Sequence, residues 1–168
     1  EMQRSLVGSE MCIRDRDGTD ALLLEVTEAP NPLRVALAPG TRMPLHCTAQ
    51  GKVFLAHMSR TSAEALLRAQ HMTQFTPHTI TDLTALMQEI DLCRTDGYAI
   101  ENGEYKIGLR SISAPVYTVE GKARYTVGVI GMFRSTRSDE FLAAVEQVCA
   151  TASMISTALG YRKTEELL

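Results

Sequence analysis

The stretch LRSISAPVYTVEGKARYTVGVIGMF, residues 109–133, decides the fold. Its two ends, residues 109–117 and 125–133, are strand candidates, and the Glu120-Gly121 pair lies between them. Two such runs on either side of a glycine turn predict an antiparallel β-hairpin. Any fold proposed for the chain must therefore contain an antiparallel sheet.

The segments on both sides of this hairpin predict the remaining elements. Short apolar runs predict strands at residues 21–26, 34–38 and 98–101. Helices are predicted from Thr48 to about Met58, from Thr61 with Glu64 in a capping box, from near Thr81 to Gly97, and from Ser138 to Gly160. In the last helix, apolar residues from Phe141 to Leu159 form one stripe. The order predicts an α+β fold with a central antiparallel sheet flanked by helices, because strands and helices do not alternate as in a doubly wound sheet.

The first sixteen residues, EMQRSLVGSEMCIRDR, differ from the rest of the chain. They show neither clear helical nor clear strand periodicity, and they resemble the translated adapter sequence found at the ends of assembled reading frames. We therefore expect a non-native tail at residues 1–16, outside the fold, and one domain at residues 17–168. The gene's own sequence would then continue upstream. The alternative is a natural linker helix.

Composition limits the class of protein. The chain has 168 residues, 45% of them hydrophobic and none of them Trp, which suits one domain with an aliphatic core. Its net charge is −3, without a basic cluster, so we expect no DNA contact from this chain alone. Its apolar runs are too short for a membrane span. Four widely spaced cysteines without a CxxC pair predict free thiols in a reducing cytosol, and neither a metal site nor a cofactor.

Three ordered stretches resemble the effector-binding domain of IclR-type bacterial transcription regulators. They are residues 32–52 with PLRV and PLHCTAQGK, residues 97–116 with GYAIE and GLRSISAPV, and residues 127–131 with VGVIG. The resemblance implies a fold similar to GAF and profilin-like sensor domains, a small organic acid as effector, and a homo-dimer or homo-tetramer. It also implies that DNA is contacted only through an N-terminal helix-turn-helix domain that precedes this one in the family.

The predicted helix start at Thr48, Ala49, Gln50 and Gly51 is suited to a carboxylate, because a helix start exposes N–H groups and the positive end of the helix dipole. An ordinary N-cap buried in the core is the alternative. By resemblance, the other pocket-lining positions are Glu101, Leu109, Ser111, Gly128 and Ile130. Small-acid binders of the family tend to carry hydroxyls at the last two positions. Their absence here favours an acid with an apolar or aromatic body.

Two other functions remain open from the sequence. One is a GAF-like sensor domain of a different signalling protein. The other is a small hydrolase using His46 and Cys47, which is less favoured because adjacent residues rarely face each other and no orienting acid is evident. Arg110 alternates away from Ser111 and is interpreted as structural, paired with Glu101 or Glu104. We therefore predict a ligand-binding domain without catalytic residues.

Overall fold

The computed structural model describes residues 9–27 and 38–162. These residues form six strands and four helices. The strands are β1 (Ser9–Asp17), β2 (Asp20–Thr27), β3 (Arg42–Pro44), β4 (Ala99–Asn102), β5 (Arg110–Tyr117) and β6 (Ala123–Gly131). The helices are α1 (Ala49–Ala56), α2 (Arg60–Ala69), α3 (Leu83–Asp96) and α4 (Asp139–Ala158).

All six strands belong to one sheet, in the order β3-β2-β1-β6-β5-β4, and every neighbouring pair is antiparallel. The predicted hairpin is the β5–β6 pair, in which Ile112 lies opposite Val129. Its turn contains Gly121 at a φ of 73°, a left-handed conformation that glycine adopts without strain. The predicted α+β class with a central antiparallel sheet is confirmed.

Strand β1 corrects the expectation that residues 1–16 lie outside the fold. It lies at the sheet centre between β2 and β6, with Cys12 opposite Val26 on one side and Gly128 on the other. Both faces of β1 are covered by other elements. Met11 and Ile13 pack on the α4 side, while Cys12 and Arg14 are buried on the opposite side. The alternation of Met11 and Ile13 with Cys12 and Arg14 is a short strand signal, but the resemblance of the segment to adapter sequence led to its exclusion from the predicted fold.

Strand β3 was not predicted. It has only three residues and ends at Pro44, where the ring nitrogen cannot donate to a strand ladder. The strand predicted at residues 34–38 falls almost entirely outside the described residues. The β2–β3 pairing, with Ala21 opposite Met43, makes β3 one edge of the sheet.

Three of the predicted helix ends are confirmed. Thr48 caps α1 and accepts a hydrogen bond from the Gly51 N–H, and Ser138 caps α4. Gly97 ends α3 at a φ of 80°. These ends follow from side-chain oxygens that replace missing helical partners and from a glycine that adopts the left-handed conformation.

The helix start predicted at Thr61 is wrong by two positions, and the start predicted near Thr81 lies one position later. The hydroxyl of Ser59, rather than Thr61, caps α2 by accepting from the Ser62 N–H. The carboxylate of Asp82, rather than Thr81, caps α3 by accepting from the Ala85 N–H. Several capping residues stand next to each other at both places, so the sequence alone does not select one.

The helices cover both faces of the sheet. Helix α1 lies on one face, and α2 and α3 pack outside it in a cluster that includes Leu55, Leu67 and Ile90. Helix α4 covers the other face with Phe141 and Val148, as predicted from its stripe. By length and composition α4 could span a membrane, but this buried stripe is also what the core helix of a globular domain presents.

Candidate functional site

The candidate site lies where the start of α1 meets the sheet. Every residue of α1 is buried, so this helix is held tightly between the sheet and α3. Its cap is firmly fixed, because the Thr48 hydroxyl donates to the Pro44 carbonyl at 2.8 Å and accepts from the Gly51 N–H at 3.1 Å. The first-turn N–H groups of a helix have no partner within the helix. A ligand at this point therefore meets a rigid, positively polarised helix end.

Three strands bring polar and apolar side chains together on the sheet face below α1. Glu101 of β4 lies opposite Ser111 of β5, which lies opposite Ile130 of β6. All three are buried, with at most 6% of their surface exposed. Because alternate residues of a strand share a face, this row continues to the next paired positions, Ser113 and Gly128.

A small cavity lies between this row and α1. Its lining residues are Arg14, Met43, Thr48, Gln50, Glu101, Tyr105, Lys106, Leu109, Ser111 and Ile130. The space open to the centre of a water-sized sphere is only about 10 Å³, close to the minimum that holds one water. A larger ligand must therefore displace part of the wall, and the half-buried Tyr105 and the exposed Lys106 are the wall residues with most freedom to move.

The structure brings together six of the nine predicted site residues: Thr48, Gln50, Glu101, Leu109, Ser111 and Ile130. Ala49, Gly51 and Gly128 do not line the cavity. Close packing requires a glycine at position 51, because a Cβ there would lie 2.1 Å from the Leu45 carbonyl oxygen. Ala49 is buried in the core.

Gly128 acts through Gln50. A Cβ at Gly128 would lie 2.8 Å from Gln50 Nε2 and 2.6 Å from the Ile112 carbonyl oxygen. The missing side chain leaves room for the Gln50 amide to cross β6 and donate to Cys12 Sγ at 3.2 Å. Gly128 therefore supports a wall of the cavity without facing into it.

Glu101 is the centre of a buried hydrogen-bond network. Its Oε1 accepts from the backbone N–H groups of Glu104 at 2.6 Å and Tyr105 at 3.1 Å, and its Oε2 accepts from the Ser111 hydroxyl at 3.1 Å. Burial nevertheless raises the pKa of the Glu101 carboxyl above its usual value. Because the Ser111 proton is already donated to Glu101, Ser111 offers a ligand only its lone pairs.

Lys52 holds the segment that follows Glu101. Its ammonium is 1% exposed and lies 2.7 Å from Glu104 Oε1 and 3.1 Å from the Ile100 carbonyl oxygen. Thr79 donates to the Glu104 carbonyl oxygen at 2.6 Å from the other side. Sequence reasoning missed Lys52, although a lysine inside an otherwise apolar helix is a recognisable sign of a buried ion pair.

Arg14 is the most unusual residue of the cavity. Its side chain is 1% exposed, and its Nε and Nη1 have no hydrogen-bond partner among the described residues. The residue was missed because the segment containing it was expected to lie outside the fold. The alternation of Met11 and Ile13 with Cys12 and Arg14 was the available signal.

His46, Cys47 and Arg110, which were considered for catalysis or for a salt bridge, have other contacts in the structure. His46 Nε2 lies 3.0 Å from the Thr73 carbonyl oxygen and its ring stacks with Phe75. Burial raises the pKa of Cys47 to about 12, so its thiol stays protonated. Arg110 does not pair with a carboxylate in the way considered above, but donates to the Phe133 carbonyl oxygen. Within the described ranges, no group of three or more His, Cys, Asp or Glu could hold a metal.

Comparison with known proteins identifies the family. The model of the bacterial transcriptional regulator IclR C-terminal domain matches residues 2–157. The HTH-type transcriptional repressor AllR of Escherichia coli K12 is 29% identical over 157 residues, which cover 94% of this chain and 58% of AllR. The chain therefore spans less than two thirds of this relative.

Solved structures agree with the family assignment. The Thermotoga maritima IclR superposes with a TM-score of 0.86 at 26% identity, covering 95% of this chain and 64% of that one. A double mutant of the Acinetobacter PobR inducer-binding domain, in complex with 3-hydroxybenzoic acid, superposes with a TM-score of 0.81 at 21% identity, which shows the fold alone. It covers 95% of this chain and 90% of that one. The chain belongs to the IclR family of bacterial transcriptional regulators and corresponds to their C-terminal domain.

Proposed function

We propose that this domain is the effector sensor of a bacterial IclR-type transcription regulator and that its effector is a small organic acid. The observation that carries the proposal is the cavity between the α1 start and the sheet, where buried polar groups and apolar walls converge. Such a combination is typical of ligand sites, in which a few polar groups orient an apolar body. The complex of the PobR inducer-binding domain with 3-hydroxybenzoic acid supports the same class of ligand.

The effector carboxylate is expected to lie near the first turn of α1, close to Thr48 and Gln50, because N–H groups and the helix dipole both favour an anion there. Its body would contact Leu109 and Ile130, two buried apolar residues on the sheet face. An apolar or aromatic body suits this wall. Since the cavity is nearly closed, a body of that size requires Tyr105 and Lys106 to move outward.

Regulation further requires that the acid binds two conformations with different affinity, because equal affinity shifts no equilibrium. We propose that the domain works as a homo-dimer or homo-tetramer in the bacterial cytoplasm. DNA would be contacted by a separate helix-turn-helix domain of the intact regulator. The relative AllR, an HTH-type transcriptional repressor, supports the presence of such a DNA-binding domain.

The domain also needs a strand where β1 lies. Without it, β2 and β6 would each lose the partner that separates them in the sheet. If residues 1–16 are a non-native tail, we propose that the intact gene encodes another strand at the same position.

The family assignment weakens the two alternatives left open by the sequence. A GAF-type sensor of another signalling protein is not needed to explain the fold. A hydrolase is disfavoured by the protonated Cys47 thiol and by the commitment of His46 to a backbone carbonyl. Neither residue lines the cavity.

Isothermal titration of the purified 168-residue chain tests the proposal. The ligands are acetate, propionate, benzoate and 3-hydroxybenzoate, each paired with its neutral amide. At least one acid should bind, and more tightly than its amide. Ile130→Trp, which fills the cavity, should abolish binding, while Val119→Trp, at an exposed position, should not. Failure of every acid to bind, or binding unchanged by Ile130→Trp, would contradict the proposal.

A further inference from the structure

Phe75 lies outside the inner cavity but touches its wall. Its ring centroid is 5.0 Å from that of Tyr105, one of the two wall residues with most freedom to move, and the two rings are tilted by 56°. A ring pair of this geometry attracts beyond its apolar contact. On the other side, the Phe75 ring stacks with His46 at 6.0 Å. Tyr105 is therefore held in the cavity wall by a ring that does not itself line the cavity.

The segment that carries Phe75 is fixed to the residues that follow β4. The Thr79 hydroxyl accepts from the Phe75 N–H at 3.0 Å and donates to the Glu104 carbonyl oxygen at 2.6 Å. The Thr76 hydroxyl donates to the Gly103 carbonyl oxygen at 2.7 Å. Thr76 and Thr79 are buried, so their hydrogen bonds are protected from competition with water. The backbone at Phe75 therefore keeps a fixed place next to the cavity.

Tyr105 can leave the wall although its backbone is held. Its N–H donates to Glu101 Oε1 at 3.1 Å, which fixes the backbone, but its ring is half-buried and can change position by side-chain rotation. The following residues, Lys106 and Ile107, are exposed, so the way outward leads to the surface. Rotation of the Tyr105 ring out of the wall breaks its contact with Phe75. The contact is thus present in the closed cavity and absent from the open one.

We propose that Phe75 is a latch that makes the cavity selective for the size of its effector. It stabilises the closed cavity and so opposes each acid in proportion to how far the acid displaces Tyr105. This assignment rests on the proposed function and names the two conformations, closed and open, between which the effector selects. An acid that fits only the open cavity has its apparent affinity reduced by the open fraction. The latch therefore weakens the binding of acids with a bulky body.

A purely structural role for Phe75 predicts the opposite result. If Phe75 only shaped the wall, its removal would loosen the cavity and weaken binding. If Phe75 holds the cavity closed, its removal makes the open conformation more populated, and a bulky acid binds more tightly. The direction of the change in affinity therefore separates the two roles.

The experiment compares the full chain with Phe75→Ala, by isothermal titration for the affinity and by stopped-flow mixing for the rates. The probes are the acids of the titration above that bind wild type. Phe75→Ala should tighten the binding of the bulkiest of them roughly 2- to 10-fold, the factor that corresponds to the loss of one aromatic pair. Association should become faster by the same factor and dissociation should stay unchanged, because the contact is absent from the bound state. Acids with smaller bodies should gain less.

Two further variants control the experiment. Ile107→Ala is the matched control, because Ile107 is 69% exposed and stands two residues after Tyr105. It should leave the affinity and both rates unchanged. Phe75 is 45% exposed, so Phe75→Ala should fold. Phe75→Leu keeps an apolar side chain beside His46 without the ring pair, and it repeats the test if Phe75→Ala lowers the melting temperature.

The outcomes distinguish the latch from the function on which it rests. If no acid binds wild type, the proposed function fails and the latch with it. If an acid binds wild type and both Phe75 variants bind it equally or more weakly, only the latch is refuted. A gain of the same size in Ile107→Ala, or a gain in affinity that comes from slower dissociation, would also refute the latch.

Discussion

Loss of the Lys52 ammonium should destabilise the domain strongly. Lys52 and Glu104 form an ion pair with an N–O distance of 2.7 Å, and their side chains are only 1% and 7% exposed. Removing one partner of a buried pair costs about 3–5 kcal/mol, because the remaining charge stays buried without compensation. The Glu89 carboxylate at 3.4 Å is 44% exposed and screened by solvent, so it contributes little.

Lys52→Met should therefore lower the free energy of unfolding by about 3–5 kcal/mol, and the melting temperature by roughly 6–20 °C for a domain of this size. The measurement is urea unfolding followed by circular dichroism. The double variant Lys52→Met/Glu104→Gln should recover much of the loss, because it leaves no unpaired charge. If the stability losses of the single variants Lys52→Met and Glu104→Gln simply add in the double variant, the two charges do not compensate each other.

Three further predictions concern other parts of the domain. Val148→Asp should unfold the domain because Val148 is 2% exposed in the α4 stripe, whereas Ala150→Asp on the exposed side should be tolerated. Equal melting temperatures for these two variants would show that α4 does not pack as described. Glu101→Gln should be more stable than wild type at neutral pH. The difference should shrink as pH falls, because the raised pKa of the Glu101 carboxyl makes wild-type stability increase on protonation. A difference in urea midpoints that is constant between pH 4 and 8 would contradict this. Cys47 should resist alkylation by iodoacetamide at pH 8 until urea is added, because burial raises the pKa of its thiol to about 12. Rapid labelling of Cys47 in the folded chain would contradict this prediction.

Much of the fold could be predicted because its signals are local. The β5–β6 hairpin and the helix ends at Thr48, Gly97 and Ser138 each depend on a turn residue or a cap close to the element. Strand β1 was missed because its segment was excluded from the fold and because its partners, β2 and β6, come later in the chain, so no turn next to it indicates the pairing.

The candidate site could be predicted only in part, and for the same reason. Resemblance indicated pocket-lining positions on β5 and β6, and the structure places two of them, Ser111 and Ile130, opposite each other in the cavity wall. It did not reveal that Ser111 donates to Glu101 or that Gly128 makes room for Gln50, because such contacts depend on side-chain packing between distant segments. Arg14 was out of reach once its segment was excluded from the fold.

A crystal structure of the chain with the tightest-binding acid of the titration panel would locate the effector directly. The ligand should lie between the α1 start and the sheet, with its carboxylate near Thr48 and Gln50 and its body against Leu109 and Ile130. Tyr105 or Lys106 should be displaced outward to admit it. A fully occupied acid in the open groove between α4 and β5, beside Tyr117 and Ser156, with the inner cavity still closed, would show that the inner cavity is not the effector site.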